Sequence, residues 1–481
     1  MLINKYILNS LVSLILLSLV GACKVAPPVA LPQTKQVPNS FGGATDSVSI
    51  GAISWKKFFT DPNLVNLIDT ALQQNPDLQM AVQRIEMARA NVMLSRGAFL
   101  PGIQGVASAS VDRYGEYTMT GVGNYDTNKS PNINRDQRVT NPVQDYLVGL
   151  RSFWEVDLWG KLRNYKKAAY ARFLASEKGR NLVQTALVAN VASMYYELLA
   201  LDNELEILDR NIELQQLAVE LIQVQKAGGR ATELAVQQFR AQLLNTRSLQ
   251  AMKQQEIVAI ENQLNSMLGR FPQPINRGLP LNQQVLPANL QVGIPVNLLS
   301  RRPDIQQAEL ELIAAKANVA AVRASFLPAL TISPYIGFNA FKAPLLFDPA
   351  SLAMGVLGGV TAPIFNQNIL RSEYRRSAAG NREAFYGYQK ALLTGYQEVL
   401  TSMRGIENYR RVADLKQQEV ETLRSAVATS NDLFTAGYAN YLEIITAQRG
   451  VLEAELVLTD TRKSIFLSSI DLYRALGGGW Q

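Results

Sequence analysis

The chain has 481 residues, 47% hydrophobic and 18% charged, a composition that belongs to ordered protein and not to a disordered chain. It contains no histidine and one cysteine, which excludes histidine-based catalysis, a Cys–His nucleophile, a His/Cys metal site and any disulfide within one chain. The net charge of +7 comes from scattered Lys and Arg, with no run longer than a pair such as Arg301-Arg302 or Arg375-Arg376, so nucleic-acid binding is not expected.

Residues 1–22 read as an export signal: Lys5 is the positive start, and Ile7 to Val20 form an apolar stretch. The segment closes on Val20-Gly21-Ala22-Cys23, which resembles the lipobox of bacterial lipoproteins, and the only cysteine of the chain stands at the lipidation position. A covalent lipid on Cys23 is expected, and no other cofactor or metal. Residues 23–54 then form a proline-rich tether, with Lys24 directly after the cysteine, compatible with sorting to the outer membrane.

Beyond the tether the chain is a duplication, spanning residues 55–271 and 294–481 with a proline-rich linker at 272–293. Asn75-Pro76-Asp77-Leu78-Gln79 returns as Arg302-Pro303-Asp304-Ile305-Gln306, and Phe99-Leu100-Pro101 as Phe326-Leu327-Pro328, at one constant offset. Ala90-Asn91-Val92 and Ala317-Asn318-Val319 repeat between them. Further on, Ala227-Gly228 matches Ala436-Gly437. The first half carries additional residues in 113–142, a stretch rich in Gly, Asn, Thr and Tyr that reads as a long surface loop.

Most of each half is long amphipathic helix. Leu198, Leu201, Leu205, Leu208, Ile212, Gln215, Val219 and Ile222 step by three and four, a coiled-coil seam with one polar position. Ile257, Ile260, Leu264 and Met267 continue the pattern in the same half, and Val420, Leu423, Val427, Ser430 and Phe434 in the other. Glycines at Ala227-Gly228-Gly229 and Ala436-Gly437 mark the turns between paired helices.

Four segments alternate with period two, about 103–112, 145–156, 330–340 and 354–364, the last glycine-rich and less regular. Each has about the length of a tilted membrane strand. No stretch after the signal resembles a membrane helix, so any membrane crossing falls to these strands. Four strands cannot close a barrel, and lipid does not tolerate open edges, so several copies must combine. Two copies give a barrel filled by its own side chains; three give room for a water channel.

The string Ile294-Pro295-Val296-Asn297-Leu298-Leu299-Ser300-Arg301-Arg302-Pro303-Asp304-Ile305, with Ala436-Gly437, Ala447-Gln448 and the closing Tyr473-Arg474-Ala475-Leu476-Gly477-Gly478-Gly479-Trp480, resembles the outer-membrane efflux protein family, the TolC-like exit ducts, in its lipoprotein branch. The resemblance implies an α+β membrane protein, internally duplicated, with a long periplasmic α-helical coiled-coil barrel. A transmembrane β-barrel is completed by trimerisation, four strands per chain.

It also implies a homotrimer that works with a periplasmic adaptor (membrane fusion) protein and an inner-membrane transporter of the resistance-nodulation-division (RND) type, conducts small molecules passively and is no enzyme. By resemblance, the helix tips at Ala227, Gly228 and Gly229 and at Ala436, Gly437 and Tyr438 meet the adaptor. Glu443 and Thr446 stand at the periplasmic gate, where some members carry acids. A protein-secretion duct, a non-conducting coiled-coil envelope lipoprotein and a carboxylate-based envelope hydrolase are the alternatives.

Overall fold

The structure is a computed structural model of the whole chain and describes residues 27–33, 35, 37–41, 49–285, 292–293, 295 and 301–481. Cys23, the export signal and most of the Ile294–Ser300 string lie outside the described residues. In chain order the helices and strands are α1 (Trp55–Phe58), α2 (Pro62–Gln74), α3 (Pro76–Gly97), β1 (Gly102–Asp112), α4 (Met119–Lys129), β2 (Val143–Val156), α5 (Lys161–Ala227) and α6 (Glu233–Met267). The second half supplies α7 (Pro303–Ala324), β3 (Ala329–Ala340), β4 (Leu352–Thr361), α8 (Ile369–Thr435) and α9 (Tyr441–Ala475).

The duplication holds at the level of element length. Helices α3 and α7 each have 22 residues, α5 and α8 each 67, and α6 and α9 each 35. The Phe-Leu-Pro strings act as helix-to-strand converters. Phe99 and Leu100 donate their N–H groups to Arg96 and Gly97 in a tightened last turn, and Phe326 and Leu327 do the same to Arg323 and Ala324. Pro101 and Pro328 lack the N–H that a further helical turn requires, so the chain leaves as a strand.

Chain contacts divide the molecule into two compact units. One comprises residues 88–173 and 312–384 with the described part of 1–31, and holds the sheet. Its four strands form an antiparallel meander in the order β1-β2-β3-β4. The 113–142 stretch departs from the loop expected there, because α4 forms within it. Thr118 caps that helix by accepting from the Gly121 N–H, and the Asn128 side chain clamps Val139 through both its N–H and its carbonyl, at 2.8 and 2.9 Å. No α4 residue is buried, so an apolar periodicity had no reason to be present.

The other unit comprises residues 32–87, 174–311 and 385–481 and is helical. Its core joins Phe58, Phe59, Leu64, Ile68, Tyr195, Tyr196, Leu264 and Tyr473, with Phe58 stacked on Tyr473 at 4.2 Å and Tyr196 on Phe466 at 4.7 Å. The two strings that carried the resemblance meet here. The buried Arg302 guanidinium reaches Asp304 at 2.6 Å, Glu398 at 2.7 Å and the Ala475 carbonyl at 3.0 Å. Trp480 donates to the Arg301 carbonyl at 3.2 Å. Gly477 has φ +83°, and a Cβ there would stand 2.8 Å from the Arg301 carbonyl, so glycine is required twice over at this joint.

Candidate functional site

The strand register sorts every side chain of the sheet onto one of two faces. Ile103, Ala107 and Val111 of β1 share a face with Val148, Leu150 and Trp154 of β2. That face continues through Leu330, Ile332, Ile336 and Phe338 of β3 to Leu352, Met354, Val356 and Val360 of β4. It carries no charged residue in any strand. Asp112, Asp145, Arg151 and Glu155 all lie on the opposite face, among Gln104, Ser108, Ser110, Thr331, Ser333 and Asn339.

The irregular fourth segment becomes clear in this register. Its strand is Leu352–Thr361, shorter at the far end than the expected limit of 364, and its alternate residues complete the apolar face. A closely packed glycine explains its weak pattern. Gly355 receives the Tyr335 ring, whose atoms would lie within 2.8 Å of any Cβ placed there. In the neighbouring strands Gly149 and Gly337 face each other so closely that a Cβ on either would meet the other's Cα at 2.7 Å. The strands have 11, 14, 12 and 10 residues, the length class of membrane strands. Among the described residues no helix is long and apolar enough to cross a membrane. Both outer strands, β1 and β4, have an unpaired edge in the single chain.

The two helix tips are built alike. After α5 the Arg230 N–H returns to the Gln225 carbonyl at 2.8 Å while Gly229 takes φ +74°. After α8 the Tyr438 N–H returns to Leu433 at 2.8 Å while Gly437 takes φ +83°. Both are Schellman endings, in which a left-handed glycine lets the next N–H satisfy an orphan carbonyl. Three residues on, Thr232 and Asn440 cap the next helices, Asn440 accepting from Leu442 at 2.9 Å and Glu443 at 3.3 Å. The structural partner of Gly437 is therefore Gly229 and not Gly228, a shift of one residue from the match of Ala227-Gly228 to Ala436-Gly437.

Ala227, Gly228, Gly229, Ala436, Gly437 and Tyr438 are all exposed. A small cluster of Val219, Ile222, Val236 and Phe239, with Phe434 and Tyr441 against it, gathers both tips into one assembly. Glu443 and Thr446 lie one turn apart on the exposed face of α9, while Ile444 turns inward. Arg449 is paired with Glu453 at 2.7 Å, and among the described residues no cation pairs with Glu443.

Behind the tips runs a groove of about 670 Å³ between α5, α8 and α9, lined by Leu214, Gln215, Leu221, Val427, Phe434 and Ile444. Gln215, the polar position of the α5 seam, is buried there with neither amide atom hydrogen-bonded. Arg424 and the buried Glu455 form an ion pair in its wall, with Nε at 2.9 Å. Sequence periodicity located Gln215 but not the groove, which depends on how separate helices meet.

The model of the family described as "Outer membrane efflux protein" matches residues 67–270 and 294–478. The chain belongs to the outer membrane efflux protein family. Within this family it is 28% identical to the solvent efflux pump outer membrane protein SrpC of Pseudomonas putida, over 96% of this chain and 97% of that one. It is 30% identical to the pyoverdine export outer membrane protein OpmQ of Pseudomonas aeruginosa, over 96% and 95%. Among solved structures, a membrane protein from Pseudomonas aeruginosa superposes with TM-score 0.84 at 27% identity, covering 95% of this chain and 97% of that one. The cation efflux protein CusC superposes with TM-score 0.79 at 26% identity, covering 95% and 100%. The efflux protein architecture of a helical region with four strands per chain is thus the architecture of this chain.

Proposed function

We propose that three copies of this chain form the outer-membrane exit duct of a tripartite efflux pump, conducting small molecules passively from the periplasm to the outside. The observation that carries this reading is the two-faced sheet with two open edges. An uncharged face suits lipid, a polar face suits a water-filled lumen, and neither edge can remain unpaired in a bilayer. Because β1 and β4 run antiparallel in a four-stranded meander, the β4 edge of one copy can pair with the β1 edge of the next and keep every neighbour antiparallel. Three copies close twelve strands, wide enough for a lumen. The helices support the same conclusion: besides its buried seam, α5 exposes Leu214, Leu217, Leu221 and Val224, a second apolar stripe that suits the helix of another copy.

In this assembly the tips at Gly229 and Gly437, with Ala227, Gly228, Ala436 and Tyr438, receive a periplasmic adaptor protein, which links the duct to an inner-membrane RND-type transporter. Glu443 from each copy forms an acidic ring at the entrance, with Thr446 one turn behind, and that ring favours cations. A diacylglycerol on Cys23 tethers each protomer to the outer membrane. Relatives named for toluene, cations and pyoverdine lie at 27–30% identity, which fits selection of cargo elsewhere in the pump. The test is affinity isolation from crosslinked cells. Recovery of an adaptor with an RND transporter is the expected result; recovery of an ATP-driven secretion transporter overturns the efflux assignment.

A further inference from the structure

Where the sheet hands over to the long helices, two kinds of residue are layered. Strands β2 and β4 end side by side on β3, with Val156 opposite Leu330 and Leu330 opposite Val360. Just past these ends lie Leu158 and Trp159 on one connection and Ile364 and Phe365 on the other, with Ile369 opening α8, all at least half exposed. The Trp159 indole donates to the Pro328 carbonyl at 2.6 Å, which fixes its ring at this level. Exposed aromatics bordering an apolar strand face belong to a membrane–water boundary.

The next layer is cationic. Helix α5 opens with Lys161, Arg163, Lys166 and Lys167, and α8 with Arg371, Arg375 and Arg376. Neither helix has an acid in its first turn. Lys161 is tied to Glu155 at 2.9 Å and Arg163 to Asp157 at 3.1 Å, while Arg376 has a long 3.7 Å contact with Glu373. Lys166, Lys167, Arg371 and Arg375 are exposed and have no carboxylate partner among the described residues. Arg371, in the first turn of α8, opposes the helix dipole, and the like charges clustered behind both helix starts repel one another, so an anion outside the layer relieves it.

A third observation marks the same level. Tyr374, between these arginines, donates its hydroxyl to the Pro27 carbonyl. From Pro27 the chain back to Cys23 reaches at most about 14 Å. Covalent chain length therefore limits a lipid carried by Cys23 to that reach from the basic layer.

We propose that this collar binds the anionic phospholipid headgroups of the periplasm-facing leaflet of the outer membrane, Arg and Lys pairing with phosphates directly below the aromatic layer. The inference rests on the outer-membrane channel reading above, and it supplies the force that fixes how deep the barrel sits.

The test uses the full-length protein reconstituted in vesicles of equal parts phosphatidylethanolamine and phosphatidylglycerol, re-extracted with its bound lipid and analysed by native mass spectrometry. Retained phosphatidylglycerol should exceed phosphatidylethanolamine by about fivefold or more, the factor that one Lys or Arg contributes at an anionic surface. The combined variant K166Q/K167Q/R371Q/R375Q/R376Q should lose this preference. The charge-preserving K166R/K167R/R371K/R375K/R376K should keep it, as should neutralisation of Lys226, Arg230, Arg240, Arg247 and Arg449 near the tips. Equal retention of both lipids by the unsubstituted protein, or a preference that survives the glutamine variant, overturns the proposal. Conductance measured on the same vesicles tests the channel reading separately: a conducting preparation without lipid preference removes the collar and leaves the channel standing.

Discussion

Replacing Arg302 with alanine leaves Asp304 and Glu398 near each other without the cation that both now share, and frees the Ala475 carbonyl. Burial alone disfavours the Arg302 charge, but the Asp304 and Glu398 carboxylates outweigh it and hold its pKa above the ordinary value. The carboxylates left behind are 24% and 27% exposed and Glu398 keeps Arg474 at 3.5 Å, so the cost falls below the roughly 3–5 kcal/mol of a fully buried pair but stays measurable. Arg302→Ala should therefore lower the thermal midpoint of the purified protein by several degrees, and an unchanged midpoint would show the joint to be dispensable. Glu204 works in the opposite sense. Burial raises its pKa above the ordinary 4.5, and the Lys253 ammonium 3.0 Å away only partly offsets this. The folded protein then binds that proton more tightly than the unfolded chain, so stability falls as pH rises from about the ordinary carboxylate range through the raised folded value. Glu204→Gln should gain relative to the unsubstituted protein over that window; a difference in melting temperature that stays flat with pH counts against it. Neither role was legible beforehand. Arg302 stood in a recognisable string and Glu204 was one helical acid among many, because burial and partners come from residues far apart in the chain.

At the scale of elements, the central device is the division of the sheet into an uncharged and a polar face. Val356→Arg puts a charge on the lipid side of β4 and should cost about 2–4 kcal/mol near the bilayer midplane, reducing the inserted fraction. Ser108→Arg, on the opposite face of β1, should insert normally. Impaired insertion of Ser108→Arg with normal insertion of Val356→Arg would mean that the faces are assigned the wrong way round, and equal insertion would mean that neither face meets lipid. Period-two alternation made three of these strands readable from sequence because each has one uncharged and one polar face, and the coiled-coil seams were readable because helical burial repeats every three to four residues. The fourth strand blurred because Gly355 gives up its side chain to accommodate the Tyr335 ring, a cross-strand event that no local window contains. Helix α4 leaves no apolar pattern because it buries nothing, and sequence alone pairs Gly437 with Gly228 because only φ singles out Gly229.

At the scale of the molecule, the duplication was plain in the repeated strings, and equal helix lengths in the two halves extend it. Charge was not plain: Lys and Arg that look scattered along the chain gather at one level because the starts of α5 and α8 both follow strands that end together. Lipidation belongs to this scale too. Cys23→Ala, exported behind a cleavable signal, should reduce the yield of trimers more than the activity of those that form, as scored by detergent-resistant trimer per cell and conductance per trimer; normal yield with silent channels would contradict it. Planar-bilayer recording of the purified protein, with its oligomeric state determined on the same sample, decides whether copies of this chain close a water-filled pore. A trimer should produce discrete conductance steps, with the cation preference weakened in Glu443→Gln. Folded, inserted protein that stays electrically silent when the tips are opened, or steps produced by a single chain, would contradict it.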